Sequence, residues 1–210
     1  MEFIMADYII SGCSIADLSE EHFKKRDIEY VCFHYSLDGV QYMDDLGKTM
    51  SIDNFYAAMQ NGAETKTSQV SAGEFMEYFK PFLEAGKDII HVCISSGISG
   101  TFNAANVAKE MLEEQYPDRK IYIIDSLTAS SGVGLLLDKM ADLRDEGYTE
   151  NCYLSHSACF ADAEAVAKLV NEKIPGTQGK TVINNIGTTI GSHTGPGTVA
   201  LFFWGDKRVD

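Results

Sequence analysis

The segment at residues 95–101 has the densest set of side chains that could bind a ligand. It contains three serines, two glycines and a threonine in the order Ser-Ser-Gly-Ile-Ser-Gly-Thr. An apolar run precedes it and a helical pattern follows, so its hydroxyl and helix-start N–H groups are available to an anion. It lacks the lysine of a nucleotide-binding P-loop and does not match G-x-G-x-x-G. The segment suits a carboxylate or a single phosphate, although an ordinary capped strand–helix turn fits its spacing equally well.

A second group of candidates lies around His193, in the glycine-rich segment at residues 191–197. A single imidazole among three glycines and a proline, just before an apolar strand, predicts a tightly shaped loop. A lone histidine is more often structural, but the crowded glycines favour contact with a ligand. Asp125 and Ser126 follow another predicted strand, and ligands in α/β sheets bind beyond the carboxyl ends of strands. The hydroxyl groups at residues 66–69 could either cap the next helix or reach into such a cleft.

Catalytic and metal-binding alternatives start from the same residue types. A serine-dependent hydrolase or acyltransferase would pair Ser95 or Ser96 with His193. Asp125 would then have to orient the histidine, but the sequence spacing cannot place Asp125 near His193. No G-x-S-x-G motif occurs either. The five histidines are scattered, without the H-x-x-x-H or H-E-x-x-H spacing of a metal site. The pair that begins at Asp44 is interpreted as a solvated turn, and neither a metal nor another cofactor is expected.

Short apolar runs alternate with longer helical patterns along the chain, which predicts an α/β fold with a mostly parallel sheet and helices on both faces. Strands are predicted at residues 8–10, 30–33, 89–94, 121–124, 153–154, 182–183 and 198–204, and a turn at 37–40. Helices are predicted at residues 20–25, 52–60, 75–83, 103–114, 135–143 and 163–170. Ser51 is expected to cap the second helix, and Ser71 with Glu74 forms a capping box ahead of the third.

Composition narrows the classes of partner. The formal net charge of −14 argues against nucleic acid and against an anionic membrane surface, because both require clustered lysine and arginine. No signal-peptide pattern and no apolar run long enough to insert stably in a bilayer is visible, so a cytoplasmic location is expected. The five cysteines include no CxxC pair, and those within strand-like runs are interpreted as small core residues.

These segments together resemble the DegV family, the bacterial fatty-acid-binding proteins that serve a fatty acid kinase. The resemblance extends over roughly residues 5–204, and its motifs stand in the family's order. They are residues 14–18 (the opening turn), 67–69 (Thr-Ser-Gln), 95–101, 125–126 with 130–132, and 193–197.

The resemblance implies that Thr67, Ser95 or Ser96, and His193 hydrogen-bond the carboxylate of a long-chain fatty acid. A carboxylate taken out of water needs several donors to offset its desolvation. The supporting loops would be formed by Ser68, Gly97, Ser99, Gly100, Thr101, Asp125, Ser126, Thr194 and Gly195. The chain would then be a lipid-binding carrier without a catalytic residue of its own. A partner fatty acid kinase would phosphorylate the bound carboxylate to an acyl phosphate.

The sequence departs from the family pattern in two places. Cys13 stands where the family usually has an acidic residue, and a long middle segment with a Gly-Gly-Arg motif is missing after residue 150. The expected domains are an N-terminal α/β domain at residues 1–150 and a shortened C-terminal α/β domain at 151–210. Because about 60 residues make a marginal core, the C-terminal part should pack on the N-terminal one. Any acyl tunnel should be shortened or open. A further alternative is a remnant that no longer binds a ligand because the middle segment is missing.

Overall fold

A computed structural model of the protein describes residues 7–145, 151–173, 177 and 179–203. The strands are β1 (Tyr8–Cys13), β2 (Ile28–Val31), β3 (His34–Leu37), β4 (Val40–Met43), β5 (Thr65–Ser68), β6 (Asp88–Cys93), β7 (Ile121–Asp125), β8 (Cys152–His156), β9 (Thr181–Asn185) and β10 (Val199–Phe202). The helices are α1 (Glu20–Lys25), α2 (Ile52–Gln60), α3 (Ala72–Glu84), α4 (Thr101–Gln115), α5 (Ser131–Asp145), α6 (Phe160–Lys173) and α7 (Thr188–Thr194). The predicted last strand reached Trp204, which lies outside the described residues.

The first sheet is parallel, with strand order β2-β1-β6-β7, and it has helices on both faces. Consecutive residues of a strand point to opposite faces. On one face His91 packs on Phe75 and Phe79 of α3, with ring centroids 5.2 and 5.3 Å from its own. On the other face Gly12 lies so close to Leu137 of α5 that a side chain would collide with it. The predicted α/β fold class is confirmed.

The second sheet has strand order β10-β8-β9, with β9 parallel and β10 antiparallel to β8. Helix α5 lies between the two sheets, because it contacts β1 and β6 of the first and β8 and β10 of the second. Tyr153 of β8 is buried in the same core cluster as β1 and β6. The C-terminal part therefore packs on the N-terminal part, as expected, while the domain division at residue 150 stays a prediction.

A third, antiparallel sheet with order β4-β3-β5 was not predicted. The turn at residues 37–40 within this sheet was predicted. There Asp38 and Gly39 take the positive φ angles of 48° and 81° that a tight hairpin requires. The strand predicted at residues 30–33 is wrong at its end. The Phe33 N–H donates to Ser14 Oγ at 3.0 Å and its carbonyl accepts from the Asp44 N–H at 2.8 Å, so the chain leaves the first sheet there.

The predicted helix starts are confirmed in atomic detail. Ser51 Oγ accepts the Asn54 N–H of α2 at 3.2 Å. At α3, Ser71 Oγ accepts the Glu74 N–H at 3.3 Å, and Glu74 Oε2 accepts the Ser71 N–H at 2.8 Å. Among the described helices, none combines the length and the apolar character needed to cross a membrane.

Candidate functional site

The structure brings Thr67 and His193 into contact although 126 positions separate them in the sequence. Thr67 lies on β5, and His193 lies in the last turn of α7. Thr67 Oγ1 and His193 Nε2 are 3.1 Å apart, and the histidine tautomer decides which of them donates. The loop predicted at residues 191–197 is thus wrong in its first half, because Thr188–Thr194 is helical. Gly195, with φ 68°, ends the helix.

The serine-rich loop at residues 95–101 connects β6 to α4 at the carboxyl edge of the first sheet. Its shape is fixed by its own hydrogen bonds. The Ser95 N–H donates to the Thr128 carbonyl at 2.9 Å, and Ser95 Oγ accepts the Gly97 N–H at 3.2 Å. Ser99 Oγ accepts the Thr101 N–H at 3.2 Å, which anchors the start of α4.

Ser96 is held by Asp125 at the end of the neighbouring strand β7. Asp125 accepts the Ser96 N–H at 3.1 Å and the Ser96 hydroxyl at 2.5 Å. Partial burial would raise the pKa of the Asp125 carboxyl. The hydrogen bonds from Ser96 and from the Leu127 N–H outweigh that effect and lower this pKa below its usual value. Asp125 is therefore an anion at neutral pH, and its partner is Ser96 rather than His193.

The two groups of residues are joined by Gln69. A Cβ atom on Gly100 would lie 2.6 Å from Gln69 Oε1, so the residue after Ser68 rests directly on the serine-rich loop. A glycine at this position allows that close approach. The segment that carries Thr67 is thereby adjacent to the loop that carries Ser95.

The remaining predicted residues shape the turns around the site. Ser126 Oγ donates to the Thr128 carbonyl at 3.1 Å, and the Ser126 N–H donates to the Cys93 carbonyl at 3.2 Å. The Gly195 N–H donates to the Gly191 carbonyl at 2.9 Å, next to Thr194 at the end of α7. Ser68 is exposed at the end of β5 and pairs with His34 of β3. None of these four residues contacts Thr67 or His193 through a hydrogen bond in the described part of the chain.

A cavity of about 220 Å³ lies at the opposite end of α7, and none of the four predicted carboxylate-binding residues lines it. Its wall includes Asp17, Asp44 and Asn184 together with Leu46 and Ile52. Ligand cavities usually measure about 300–1,000 Å³. This one is therefore too small and too polar to hold a long acyl chain.

Asp17 and Asp44 are the buried residues that sequence reasoning missed. Asp44 is only 2% exposed, so its interpretation as part of a solvated turn is wrong. Its Oδ2 accepts the hydroxyls of Ser14 at 3.2 Å and Thr189 at 2.9 Å. Asp17 accepts the Gly187 N–H at 2.7 Å, which fixes the start of α7. No local pattern reveals these contacts, because the partners lie in distant parts of the sequence.

Burial raises the pKa of both carboxyl groups. For Asp17 the rise is large, opposed by hydrogen bonds from Ser130 and Gly187 and reinforced by the nearby Asp44. For Asp44 burial also dominates, and hydrogen bonds from Thr189 and Ser14 act against it. The two acids thus hold the N-terminus of α7 and are hard to ionise.

Comparison with known proteins gives the chain a family. The sequence model of uncharacterised proteins of the DegV family matches residues 13–151. A DegV domain-containing protein of Clostridium perfringens is 25% identical over 291 aligned positions, which cover 97% of this chain and 99% of that protein. The DegV domain-containing protein YteA of Lactococcus lactis is 36% identical over 136 residues. That match covers 64% of this chain and 46% of YteA, so the chain spans about half the length of this relative.

Solved structures show the same fold. A DegV family protein from Thermus thermophilus, described by its fatty acid binding, has a TM-score of 0.80 at 18% identity and covers 94% of this chain and 98% of its own. A stearic-acid-binding protein from Eubacterium ventriosum has a TM-score of 0.62 at 30% identity over 75% of this chain and 51% of its own. The fatty acid kinase B3 protein of Streptococcus pneumoniae, loaded with linoleic acid, has a TM-score of 0.75 at 16% identity over 94% of this chain and 98% of its own.

The alignment with the Clostridium perfringens protein also bears on the missing middle segment. It extends over more positions than this chain has residues, while covering nearly all of both proteins. The relative therefore contains residues that have no counterpart here. By its sequence and by its fold, the chain belongs to the DegV family.

Proposed function

We propose that this protein binds a long-chain fatty acid through its carboxylate and acts as a carrier rather than as an enzyme. The observation that carries the proposal is the contact between Thr67 and His193, next to the serine-rich loop. A hydroxyl, an imidazole and the donors of a strand–helix loop form a set that can replace the water around a carboxylate. The fatty acids in the solved family structures support the same ligand class.

Within the loop, Ser95 is the better carboxylate contact of the two serines. The Ser96 hydroxyl already donates to Asp125, and a second carboxylate beside that anion would be repelled. Ser95 Oγ accepts the Gly97 N–H and leaves its own hydrogen for a ligand, since the described residues offer it no acceptor. The proposed contacts are therefore Thr67, Ser95 and His193, with Ser96 as a positioning residue.

The acyl chain supplies most of the affinity in such a complex, because each buried CH₂ contributes about 0.8 kcal/mol. The cavity beside Asp17 does not adjoin the proposed contacts and is too small for the chain. We therefore place the acyl chain elsewhere, along a groove that is more open than a closed tunnel. A lower affinity than that of longer family members is the expected consequence.

A partner fatty acid kinase is proposed as the acceptor of the bound acid. It would transfer a phosphoryl group to the carboxylate, and the product would be an acyl phosphate. The description of the Streptococcus pneumoniae relative as a fatty acid kinase protein supports this step. A kinase can phosphorylate the bound fatty acid only if the carrier holds the carboxylate of that acid at the surface. The Thr67 and His193 side chains meet at an exposed position.

Native mass spectrometry of the purified protein, followed by denaturation and identification of released lipid, tests the carrier role. A stoichiometric fatty acid released on unfolding is the expected result. A protein that is bare and also fails to take up added fatty acid would overturn the proposal. Turnover of an ester or thioester, lost in the His193→Ala variant while substrate binding persists, would instead identify the protein as a hydrolase or acyltransferase.

A further inference from the structure

Two cysteines face each other across the centre of the first sheet. Strands β1 and β6 are parallel neighbours in a register that pairs Ser11 with His91. Two residues further along, Cys13 and Cys93 occupy the next positions on the same face. Neighbouring strands lie about 4.8 Å apart, and disulfides usually join Cα atoms about 4.4–6.8 Å apart. Continuing this register by two residues therefore predicts a Cα separation for the two cysteines that a disulfide can bridge.

The Cys13 thiol contacts a histidine, and its position next to Cys93 changes the pKa of both thiols. Cys13 Sγ lies 3.5 Å from His91 Nε2. The hydrogen bond from Cys13 lowers the pKa of the Cys93 thiol below its usual value, although burial opposes this effect. Burial, together with that same hydrogen bond, raises the pKa of Cys13. Of the two sulfurs, Cys93 is the better nucleophile because it carries the thiolate more readily.

A chain of largely buried hydrogen bonds extends from this thiol pair to Tyr78. His91 Nδ1 is 2.9 Å from Ser11 Oγ, which is 2.8 Å from the Tyr78 hydroxyl. Tyr78 in turn lines an open groove between β2 and α3. The polar groups of Ser11, Tyr78 and His91 thus form a largely buried hydrogen-bonded chain that ends at the Cys13 sulfur.

We propose that Cys13 and Cys93 form a redox-active dithiol that closes to a disulfide between β1 and β6. With hydrogen peroxide as oxidant, the Cys93 sulfur attacks one peroxide oxygen. An S–O bond forms, the O–O bond breaks, and the released hydroxide takes the thiol proton to become water. The Cys13 sulfur then attacks the Cys93 sulfur, an S–S bond replaces the S–O bond, and the oxygen leaves as a second water with the Cys13 proton. Two thiols and one peroxide give one disulfide and two waters.

The two cysteines are the last residues of β1 and β6, so a disulfide between them would join the ends of these two strands. Cys13 directly precedes Ser14, which donates to Asp44, and Cys93 lies two residues before Ser95. Both cysteines are fully buried. Peroxide, a molecule little larger than water, must therefore enter through transient opening, and closure of the disulfide is expected to be slow compared with oxidation of an exposed thiol.

The test is peroxide treatment of the whole protein, followed by alkylation of remaining thiols under denaturing conditions and by peptide mapping without reduction. The expected result is one species in which the peptides containing Cys13 and Cys93 are linked, and dithiothreitol should reverse the link. The Cys13→Ser and Cys93→Ser variants should each lose it. The Cys152→Ser variant should retain it, because Cys152 is an equally buried cysteine on the other sheet.

The result that would overturn the proposal is equally specific. Cys13 and Cys93 would both remain alkylatable after prolonged oxidation, or Cys93 would advance to sulfinic acid without a cross-link. A link that persists in the Cys13→Ser variant, through Cys32 or another thiol, would also contradict it. The cross-link is measured without any lipid, so this outcome is independent of whether the protein binds a fatty acid.

Discussion

At the scale of single residues, His193 is the side chain whose loss should affect ligand binding most. Its imidazole lies 3.1 Å from Thr67, and a hydrogen bond to a charged ligand contributes about 1.5–3 kcal/mol. His193→Ala should therefore weaken the affinity for a long-chain fatty acid more than tenfold, measured by equilibrium titration with a fluorescent fatty acid. His34→Ala is the matched control, because the His34 side chain is paired with Glu74 at 3.1 Å and contacts none of Thr67, Ser95 and His193. Equal losses in both variants would contradict the assignment.

The two neighbouring serines should behave differently. Ser95→Ala removes a free hydroxyl donor and should reduce affinity by about 1.5–3 kcal/mol. Ser96→Ala removes a group that already donates to Asp125, so its effect on affinity should be clearly smaller. The same titration compares them directly. A larger loss for Ser96→Ala would show that Ser96, rather than Ser95, faces the carboxylate.

From the sequence, only those site residues that lie in recognisable motifs could be predicted. Thr67 and His193 were chosen because their segments resemble a family pattern, and the structure places them together. The choice between Ser95 and Ser96 depends on Asp125, and the positions of hydroxyl hydrogens are not encoded in spacing. Asp17 and Asp44 escaped notice because acidic residues are usually exposed, and their partners lie across the fold.

At the scale of secondary-structure elements, Asp138 on α5 ties α1 and β8 together. Its carboxylate accepts from His22 Nε2 at 3.0 Å and from the Tyr153 hydroxyl, and it forms an ion pair with Arg26 at 3.0 Å. Asp138→Asn should reduce the free energy of unfolding by about 1.5–3 kcal/mol in urea titrations. Asp27→Asn is the control, since that carboxylate is exposed. An unchanged midpoint for Asp138→Asn would show that the network contributes no stability.

The contribution of Asp138 should depend on pH in a defined direction. Burial would raise its pKa, but hydrogen bonds from His22 and Tyr153 outweigh burial and lower the pKa to about 2. An unfolded aspartate has a pKa of about 3.9. The stabilisation is therefore complete above pH 3.9 and is lost as the pH falls towards about 2. The stability difference between the wild type and Asp138→Asn, followed by urea titration, should shrink over that window.

Asp17 and Asp44 should show the opposite dependence. Their pKa values are raised in the folded state, so the folded protein binds their protons more tightly than the unfolded chain does. The stability from these two groups is present at low pH and is lost as the pH rises through their folded pKa values. Wild-type stability should consequently rise as the pH falls from the raised folded pKa values of these two groups towards about 3.9, before the loss at Asp138 begins. A monotonic fall in the urea midpoint would contradict this expectation.

Element types were predictable where the hydrophobic pattern was strong. Buried strands such as β6 and capped helices such as α3 were predicted within a few residues. Strand β5 was missed because Thr-Lys-Thr-Ser carries no apolar alternation and is held by its pairing with β3. Helix α7 was missed because it is short and contains Gly191, and because its start is fixed by Asp17 from outside the segment.

At the scale of the whole molecule, the C-terminal part should not be separable from the rest. Helix α5 contacts both sheets, and Tyr153 is buried in the core of the first. Limited proteolysis should therefore give no stable free fragment that begins near residue 151, as judged by size-exclusion chromatography and mass spectrometry. Such a fragment, if it stayed folded by circular dichroism, would show that the second sheet forms an independent unit.

Helix α7 makes the two parts of the chain depend on one another through a ligand. Its first residues are fixed by aspartates of the N-terminal part, and its last turn reaches Thr67. A fatty acid held there is in effect a removable cross-link between the two parts. Because only the folded chain presents both contacts, saturation at a hundred times the Kd would add about 2.7 kcal/mol to stability. Protein with and without bound fatty acid would then differ in their resistance to proteolysis as well as in their ligand content.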